Sequence, residues 1–408
     1  MVYIYTISDK ALTGKQINIL PAYLSECFFK NNLKIEKQCI LPSDTNFNQD
    51  LNITLNNSNI YIFLVDKANL SLNGYLSQLC NCQMIENPYI KQALQEYYKK
   101  HNQVPTKDEE NGWKIPSLAH AVINPNGMVQ GYLLSFKNNI FCVLPNNYQE
   151  AREMFDDVVL NFLLDNQKKK YKSYTFKTFG LSENGITQVL YNELKNKDKV
   201  TINFFSKPFE VDIVIKALAD NQHLENIAKS ILLKLDKFIY AVEDVPIESV
   251  LYELLRLNDI TVGFVEDITC GELMSRLNKQ APDAKKYIAP SFVLTKIEDK
   301  ITKFSIDKNL FDESGDINAN VAYTLAVEYL KNNKADLVIA TVGTTTSKEN
   351  IKAGLSFIAI GDRNEVHVYK NIFKGSHEQI VDSICSASYF YLIKKLKKND
   401  FHFEQITV

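Results

Sequence analysis

The chain has 408 residues, of which 45% are hydrophobic and 23% charged, and its formal net charge is −2. These values are typical of a folded globular protein and exclude a long disordered chain. A near-zero net charge excludes a global attraction to nucleic acid or to an anionic membrane, so neither partner is expected. Because single cores stop growing at about 250–300 residues, the length predicts two or three domains.

The apolar runs and the cysteines indicate a cellular compartment. No stretch of the sequence approaches the roughly 18 consecutive apolar residues of a membrane span. The opening segment, residues 1–7, has the composition of a strand and not of a signal peptide. Seven scattered cysteines fit reduced thiols better than a disulfide framework. No histidines or cysteines have metal-ligand spacing, so we expect a soluble, cytoplasmic protein without a metal or other cofactor.

The first part of the chain alternates strand-like and helix-like segments. Strands are predicted over 2–7, 60–65 and 140–144, and helices over 20–31, 88–100 and 148–164. This is the rhythm of βαβ units, which predicts a parallel or mixed sheet. The segment 166–173 is polar and rich in lysine, and it indicates a domain boundary.

A shorter unit follows this boundary. Its predicted strands cover 174–179, 200–205, 211–217 and 238–242, and its predicted helices cover 184–195 and 221–235. The β-α-β-β-α-β order over about 70 residues is typical of a small α+β module.

The α/β rhythm then resumes to the end of the chain. Helices are predicted over 247–257, 270–278, 319–332 and 377–397. Strands are predicted over 260–266, 291–296, 303–306, 337–341, 355–361 and 365–373. A second α/β domain is therefore expected.

Four ordered fragments carry a family resemblance. They are residues 9–14 (Asp-Lys-Ala-Leu-Thr-Gly), 124–127 (Asn-Pro-Asn-Gly), 144–150 (Leu-Pro-Asn-Asn-Tyr-Gln-Glu) and 179–183 (Phe-Gly-Leu-Ser-Glu). In order and spacing they are similar to motifs of the CinA family, the competence/damage-inducible proteins. The resemblance implies an α/β fold with three domains and a homodimer. The implied domains are a molybdopterin-binding-like domain over 1–168, a small KH-like α+β module over 172–244, and a nicotinamide-nucleotide amidohydrolase-like domain over 246–408.

The first domain lacks one feature that the resemblance implies. The family's glycine-rich turn with paired aspartates falls on residues 65–73 (Val-Asp-Lys-Ala-Asn-Leu-Ser-Leu-Asn). A phosphate cradle needs glycines that let the backbone approach the ligand, and a hard divalent cation needs carboxylates. We therefore expect no divalent metal here, and loss of any ADP-ribose pyrophosphatase or molybdopterin-type activity.

The last domain holds the candidate catalytic residues. The family motif Ala-Glu-Ser-x-Thr-Gly-Gly resembles residues 265–271 (Val-Glu-Asp-Ile-Thr-Cys-Gly), and Asp267 takes the place of the serine nucleophile. The family's activating tyrosine and lysine correspond to Thr295 and Lys300. A carboxylate attacking an amide would give an anhydride instead of an ester, so the family's route is not available.

Three hypotheses for this turn follow from the residue types. In the first, Lys300 forms a structural ion pair with Asp267. In the second, Cys270 is a shifted nucleophile, because the first turn of a helix and a nearby lysine would lower the pKa of its thiol. In the third, Thr269 is the nucleophile, although the family pattern keeps a threonine at that position beside the serine.

The remaining candidates are implied to line a substrate site. They are Glu266, Gly271, Gly343, Thr344, Thr345 and Gly354. The threonine run at 344–346 follows a predicted strand, where hydroxyls either bind phosphate or bond to their own backbone. His377 stands where the family has an arginine that could meet a phosphate.

The leading functional expectation is a CinA-like protein that has lost nicotinamide-mononucleotide deamidase activity and persists as a nucleotide-binding or assembly component. The expected ligand is a nicotinamide nucleotide or a related small molecule. The alternatives are a divergent amidohydrolase with a shifted nucleophile and a purely structural homo-oligomer.

Overall fold

A computed structural model describes residues 1–51, 53–106, 109–110, 113–167, 169–195, 199–311, 315–347 and 351–398. Within these ranges the chain forms two compact units, Met1–Ser173 and the part from Tyr174 onward. No helix in the described ranges is long and apolar enough to cross a membrane.

The first unit is built on a six-stranded mixed sheet of order β2-β1-β3-β8-β7-β6. The strands of this unit, including a separate two-stranded pair β4-β5, are β1 (Val2–Ile7), β2 (Ile35–Leu41), β3 (Ile60–Val65), β4 (Met84–Glu86), β5 (Lys114–Pro116), β6 (Ala119–Val122), β7 (Gly131–Phe136) and β8 (Asn139–Pro145). The first four strands in the order are parallel and the last two pairings are antiparallel. The predicted parallel or mixed sheet is confirmed.

Helices cover both faces of this sheet. They are α1 (Asp9–Leu12), α2 (Leu20–Lys30), α3 (Phe47–Asp50), α4 (Leu70–Leu79), α5 (Pro88–Lys100), α6 (Tyr148–Met154) and α7 (Leu160–Asp165), the last two joined by a π-helical turn, Phe155–Val159. Successive side chains of a strand point to opposite faces. Phe63 accordingly packs with α4 and α5, whereas Ile62 packs with α2 and α6. The result is a three-layer α/β/α arrangement.

Part of the segment that was expected to be a degenerate glycine-rich turn is a helix. Asn69 caps the N-terminus of α4, because its side-chain oxygen accepts a hydrogen bond from the backbone N–H of Leu72 at 2.9 Å. Leu72 and Leu76 on this helix are fully buried. Leu72 and Asn73 of this segment are therefore buried in the first unit, whereas Leu70 is exposed.

The second unit contains two sheets. A four-stranded sheet has the order β10-β11-β9-β12 and a five-stranded sheet the order β14-β13-β15-β16-β17. Their strands are β9 (Tyr171–Phe179), β10 (Thr201–Lys207), β11 (Glu210–Leu218), β12 (Ile239–Ala241), β13 (Val262–Glu266), β14 (Phe292–Val293), β15 (Leu337–Gly343), β16 (Leu355–Gly361) and β17 (Val366–Ile372). Strands β14, β13 and β15 are parallel, and β16 and β17 are antiparallel to their neighbours.

The helices of the second unit are α8 (Glu183–Val189), α9 (Tyr191–Lys195), α10 (Gln222–Leu235), α11 (Ile247–Asn258), α12 (Glu272–Asn278), α13 (Ile297–Phe304), α14 (Ala319–Asn332) and α15 (His377–Lys398). Helices α8 and α10 share one apolar core with the four-stranded sheet. Helices α11, α12 and α15 cover one face of the five-stranded sheet, and α13 and α14 cover the other. Lys394 donates a hydrogen bond from α15 to the backbone oxygen of Asp236 at 2.6 Å.

Three predicted elements of the second unit are wrong in detail. The first two residues of the predicted strand 303–306 are the end of α13, which stops at Phe304 because the following residue, Ser305, has a left-handed backbone with φ of 50°. The predicted helix 184–195 is broken into α8 and α9. The predicted helix 270–278 begins only at Glu272, and this moves Cys270 out of its first turn.

The end of α15 leads to a prediction about alkaline pH. Burial and the neighbouring Lys394 lower the pKa of Lys397 from 10.5 to about 8. Above pH 8 the folded chain therefore binds fewer protons than the unfolded chain, so the free energy of unfolding should rise between pH 8 and pH 10. Denaturant unfolding at these two pH values should show a larger rise for the wild type than for Lys397→Met.

The matched control for this experiment is Lys334→Met, which removes an exposed lysine of the same unit. This variant should keep the pH dependence of the wild type. Equal slopes for Lys397→Met and the wild type would contradict the assignment.

Candidate functional site

The candidate site lies where two neighbouring parallel strands of the five-stranded sheet end. Glu266, the last residue of β13, is in register with Thr341 of β15. The backbone N–H of Asp267 donates to the Thr341 oxygen at 3.2 Å and holds the turn against β15. Ligands of open α/β sheets prefer this carboxyl edge.

Glu266 binds the start of the helix that follows it. Its carboxylate is 1% exposed and accepts hydrogen bonds from the backbone N–H groups of Gly271 at 2.9 Å, Leu273 at 3.1 Å and Met274 at 3.0 Å. The Thr269 hydroxyl donates a fourth, at 2.7 Å. A helix N-terminus favours an anion and has unpaired donors. The carboxylate expected to contact substrate is thus engaged with the α12 backbone.

Lys300 lies between two carboxylates. Its Nζ atom is 2.8 Å from Asp267 Oδ2 and 2.5 Å from Asp316 Oδ2. The lysine side chain is 1% exposed, against 14% for Asp267 and 21% for Asp316. We call these three residues the Lys300 cluster. The charge-pair hypothesis predicted the contact with Asp267.

Burial raises the pKa of the Asp267 carboxyl, and the nearby Asp316 adds to this increase. The Lys300 ammonium and the backbone N–H of Gly343 act in the opposite direction. Two acids and one ammonium share this small volume, so the cluster is acidic when both carboxyls are ionised.

Asp316 is the residue that the sequence analysis missed. It lies in the loop between Gly315 and Asn318, the N-cap residue of α14. A carboxylate next to a helix cap is common, and no local pattern indicates its partner. The sequence held one indication of a second carboxylate partner. Lys300 lies on the buried face of α13 with Phe304, and a buried lysine needs compensating charges.

The surroundings of Cys270 do not favour the shifted-nucleophile hypothesis. Partial burial of the sulfur, together with the carboxylates of Asp267 and Glu266, raises the pKa of the thiol. Cys270 precedes α12 with a left-handed backbone, φ of 48°, and its Sγ atom donates to the Asp267 backbone oxygen at 3.3 Å. The side chain is exposed, but Lys300 is paired with carboxylates and not with this sulfur.

Thr269 and Thr295 have different surroundings. Thr269 is 2% exposed, and its hydroxyl also lies 3.1 Å from the Thr341 hydroxyl. It therefore belongs to the support of the turn. Thr295 is exposed between β14 and α13.

The threonine run after β15 forms hydrogen bonds within its own turn. The Thr344 hydroxyl donates to the Thr346 backbone oxygen at 2.9 Å and accepts from the Thr346 N–H at 3.2 Å. Thr345 Oγ1 lies 2.8 Å from Nδ1 of His377, at the start of α15. Of the two expected roles for the Thr344 hydroxyl, the geometry favours the turn; Thr345 and His377 remain exposed or half-buried beside it.

The glycines of the site are needed for close backbone approach. A Cβ at Gly343 would lie 2.7 Å from the Leu355 backbone oxygen. At Gly354, with φ of 83°, it would lie 1.8 Å from the Phe373 backbone oxygen. Gly271 also has a left-handed backbone, with φ of 91°, directly before α12.

Gly354→Ala should destabilise the chain by at least about 2 kcal/mol more than Gly180→Ala. Both glycines have nearly the same φ, 83° and 84°, so the backbone cost of a Cβ is shared. Gly180 has nothing within 4 Å of its Cβ position, so the difference measures the clash. Chemical denaturation of both variants measures this difference, and equal losses would show that the backbone at Phe373 moves away without cost.

The first unit has its own polar cleft. A cavity of about 580 Å³ lies beside Val65 and Pro145, the last residues of β3 and β8. Asp66 at its edge accepts hydrogen bonds from the Ser8 hydroxyl at 2.6 Å and from the Asn146 amide at 3.0 Å. Both carboxylate oxygens are thus engaged within the protein. Across the described ranges, no group of three or more His, Cys, Asp or Glu side chains is placed to hold a metal ion.

Fold and site together define a multi-domain α/β protein with a charged site at the carboxyl edge of a mixed sheet. Residues 244–396 match the family model for the CinA C-terminal domain. A putative competence-damage inducible protein from Caldicellulosiruptor saccharolyticus is 22% identical over 97% of this chain and 99% of its own. A CinA-like protein from Sulfurihydrogenibium is 29% identical over 75% of each chain.

The solved structures include a CinA superfamily protein from Klebsiella pneumoniae, with 19% identity and a TM-score of 0.36 over 37% of this chain and 96% of that one. Residues 244–396 thus carry a CinA C-terminal domain, and over its length the chain is similar to competence-damage inducible and CinA-like relatives.

Proposed function

We propose that this chain keeps the CinA fold but has lost nicotinamide-mononucleotide deamidase activity, and that its last domain binds a nicotinamide nucleotide or a related small molecule without turnover. One observation carries the proposal. Lys300 is paired with two carboxylates, at 2.8 Å and 2.5 Å, instead of with a hydroxyl or a thiol.

The chemistry of amide hydrolysis explains why this pairing matters. A serine route requires an alcohol that loses a proton and a group that accepts it. Because the Lys300 amine lies against these two carboxylates, it is not placed to take a proton from a hydroxyl or a thiol. Asp267 offers no alcohol, and the Cys270 thiol has a raised pKa. A proton acceptor and a nucleophile are therefore both missing from the family's positions.

Binding without hydrolysis fits the same residues. A carboxamide has two N–H donors, and Asp267 offers a carboxylate acceptor at the position where the family has its nucleophile. The pyridinium ring of nicotinamide mononucleotide is cationic, and a cluster with two acids and one ammonium attracts a cation. Thr345 and His377, paired at 2.8 Å, provide polar groups beside the same strand end.

The proposal extends to the rest of the molecule. The first domain is proposed to lack pyrophosphatase and molybdopterin-type activity, because Asp66 is engaged by Ser8 and Asn146. We also propose a homodimer, on the family resemblance, and a cytoplasmic location, since all seven cysteines are free. Sedimentation and cell fractionation test the last two points.

Thermal unfolding with two ligands tests binding. Nicotinamide mononucleotide should raise the melting temperature, since a ligand at 100 times its Kd stabilises the folded state by about 2.7 kcal/mol. Nicotinic acid mononucleotide should give a smaller shift, because its carboxylate would face Asp267 with like charge. Asp267→Ala should remove this discrimination.

The matched control is Asp299→Ala, which removes an exposed carboxylate of α13. It should leave both shifts unchanged. An unchanged melting temperature with both ligands would contradict the binding proposal and favour the hypothesis of a purely structural homo-oligomer. Ammonia release that depends on Cys270 would instead favour the shifted nucleophile.

A further inference from the structure

The cleft of the first unit holds two carboxylates that have only neutral partners. Asp66 and Glu150 are half-buried and line the cavity of about 580 Å³. Asp66 accepts its hydrogen bonds from the Ser8 hydroxyl and the Asn146 amide. Glu150 accepts one from the Asn124 amide at 2.6 Å. In the part of the chain that the structure describes, neither carboxylate forms an ion pair, so the cleft has two uncompensated negative charges.

The other walls of the cleft are largely apolar and aromatic. Ile17, Ile19 and Met128 line it, and all three side chains are exposed. Tyr97 and Tyr148 also line it and are half-buried. Exposed apolar side chains that gather around one cavity mark a binding groove. Tyrosine rings attract organic cations through the negative face of the ring.

An anionic ligand does not fit these walls. Among the described residues that line the cleft, Lys10 is the cationic one, and its side chain is exposed. At Gly127, where the backbone could approach a phosphate, a Cβ would lie 2.0 Å from Glu150 Oε2. The carboxylate therefore occupies this space, and a phosphate there would face like charge. The diphosphate ligand that the family resemblance implies is thus disfavoured.

We propose that the cleft of the first unit binds a small organic ammonium ion with an apolar body. The carboxylates of Asp66 and Glu150 supply the opposite charge, and their attraction is stronger in a partly buried cleft than in bulk water. The rings of Tyr97 and Tyr148 contact the cationic group, and the aliphatic wall covers the apolar body. This inference concerns the first unit and does not rest on the proposed nucleotide site.

Isothermal titration calorimetry of the full chain at neutral pH tests the proposal with ligands that differ mainly in charge. The probes are 2-phenylethylamine, which is a cation at this pH, neutral 2-phenylethanol and anionic 3-phenylpropionate. The amine should bind at one site per chain and about tenfold or more tighter than the alcohol, because charge-assisted contacts are the stronger ones. The anion and ADP-ribose should give no binding heat.

Glu150→Gln should lower the affinity for the amine about tenfold or more, because the amide keeps an acceptor for Asn124 but removes the charge. Tyr97→Leu should lower it about threefold, the size of one exposed cation–π contact. The matched control is Glu153→Gln on the same helix, α6. Glu153 is exposed and bonded to Asn126 at 3.0 Å, and it does not line the cleft, so the affinity should stay unchanged.

Four results would overturn the proposal. They are no binding of the amine up to its solubility limit, equal affinity for amine and alcohol, tighter binding of 3-phenylpropionate or ADP-ribose than of the amine, and an unchanged affinity in Glu150→Gln. Asp267→Ala should leave amine binding intact. Loss of amine binding in that variant would place the cation in the last domain and would also reject this site.

Discussion

Lys300→Met is expected to lower the free energy of unfolding by about 3 kcal/mol. Removing one partner of a buried ion pair leaves the other charges without compensation, which costs about 3–5 kcal/mol in buried sites. Asp267 and Asp316 are 14% and 21% exposed, so some hydration remains and the lower value applies. Urea or guanidinium denaturation at neutral pH measures the change.

The control for this prediction is Lys308→Met, which removes an exposed lysine shortly after α13. Its effect should stay within about 0.5 kcal/mol. The double change Lys300→Met with Asp267→Leu should recover part of the loss, because one of the two uncompensated acids is then gone. A loss under about 1 kcal/mol in Lys300→Met alone would show that the cluster is hydrated in solution.

Glu266→Ala is expected to lower the free energy of unfolding by about 3–4 kcal/mol, about as much as Lys300→Met. The carboxylate accepts three backbone N–H bonds and one hydroxyl bond, and bonds to a charged group are worth about 1.5–3 kcal/mol each. Water entering the vacated space satisfies part of this loss, so the expected value is less than the sum. Hydrogen exchange of the Leu273 and Met274 amides should be faster in Glu266→Ala, because these N–H groups lose their acceptor.

Glu298→Ala is the matched control, since Glu298 is an exposed acid in the first turn of another helix, α13. The expected change is a few tenths of a kcal/mol, the usual size for one charge near a helix N-terminus. Glu266→Gln should fall between the two, because the amide keeps one acceptor oxygen. A Glu266→Ala variant as stable as the wild type would contradict the assigned role.

Strands with continuous apolar runs could be predicted from the sequence. Ile60–Val65 and Leu337–Gly343 lie inside their sheets, where both faces are covered, and such strands show as unbroken apolar segments. The starts of helices with an N-cap residue were also predicted accurately. Pro88–Lys100 begins after Asn87, whose side chain accepts two backbone N–H bonds.

The failures had local causes. In α13 the apolar residues Ile297, Ile301 and Phe304 follow a helical spacing, but the short run 303–306 was read by itself as a strand. A lysine on the buried side of this helix weakened the amphipathic pattern. Strand β2 is half-exposed at the edge of its sheet, with three consecutive exposed residues, and it was not predicted.

The candidate site was only partly predictable. The position of Asp267 and its pairing with Lys300 followed from the motif and from the charges. Asp316 did not, because its contact depends on how α13 and its loop pack against β13. The left-handed backbone of Cys270 was not predicted. Gly271 and the Glu266 carboxylate fix the start of α12 at Glu272, two residues later than the apolar pattern indicates.

Ammonia release from nicotinamide mononucleotide tests the central claim most directly. Purified full-length chain, at a nucleotide concentration that saturates the thermal shift, should release no ammonia above a protein-free blank at neutral pH. Ammonia produced in proportion to the protein concentration, and abolished by Cys270→Ala or Lys300→Met but not by Asp267→Ala, would contradict it.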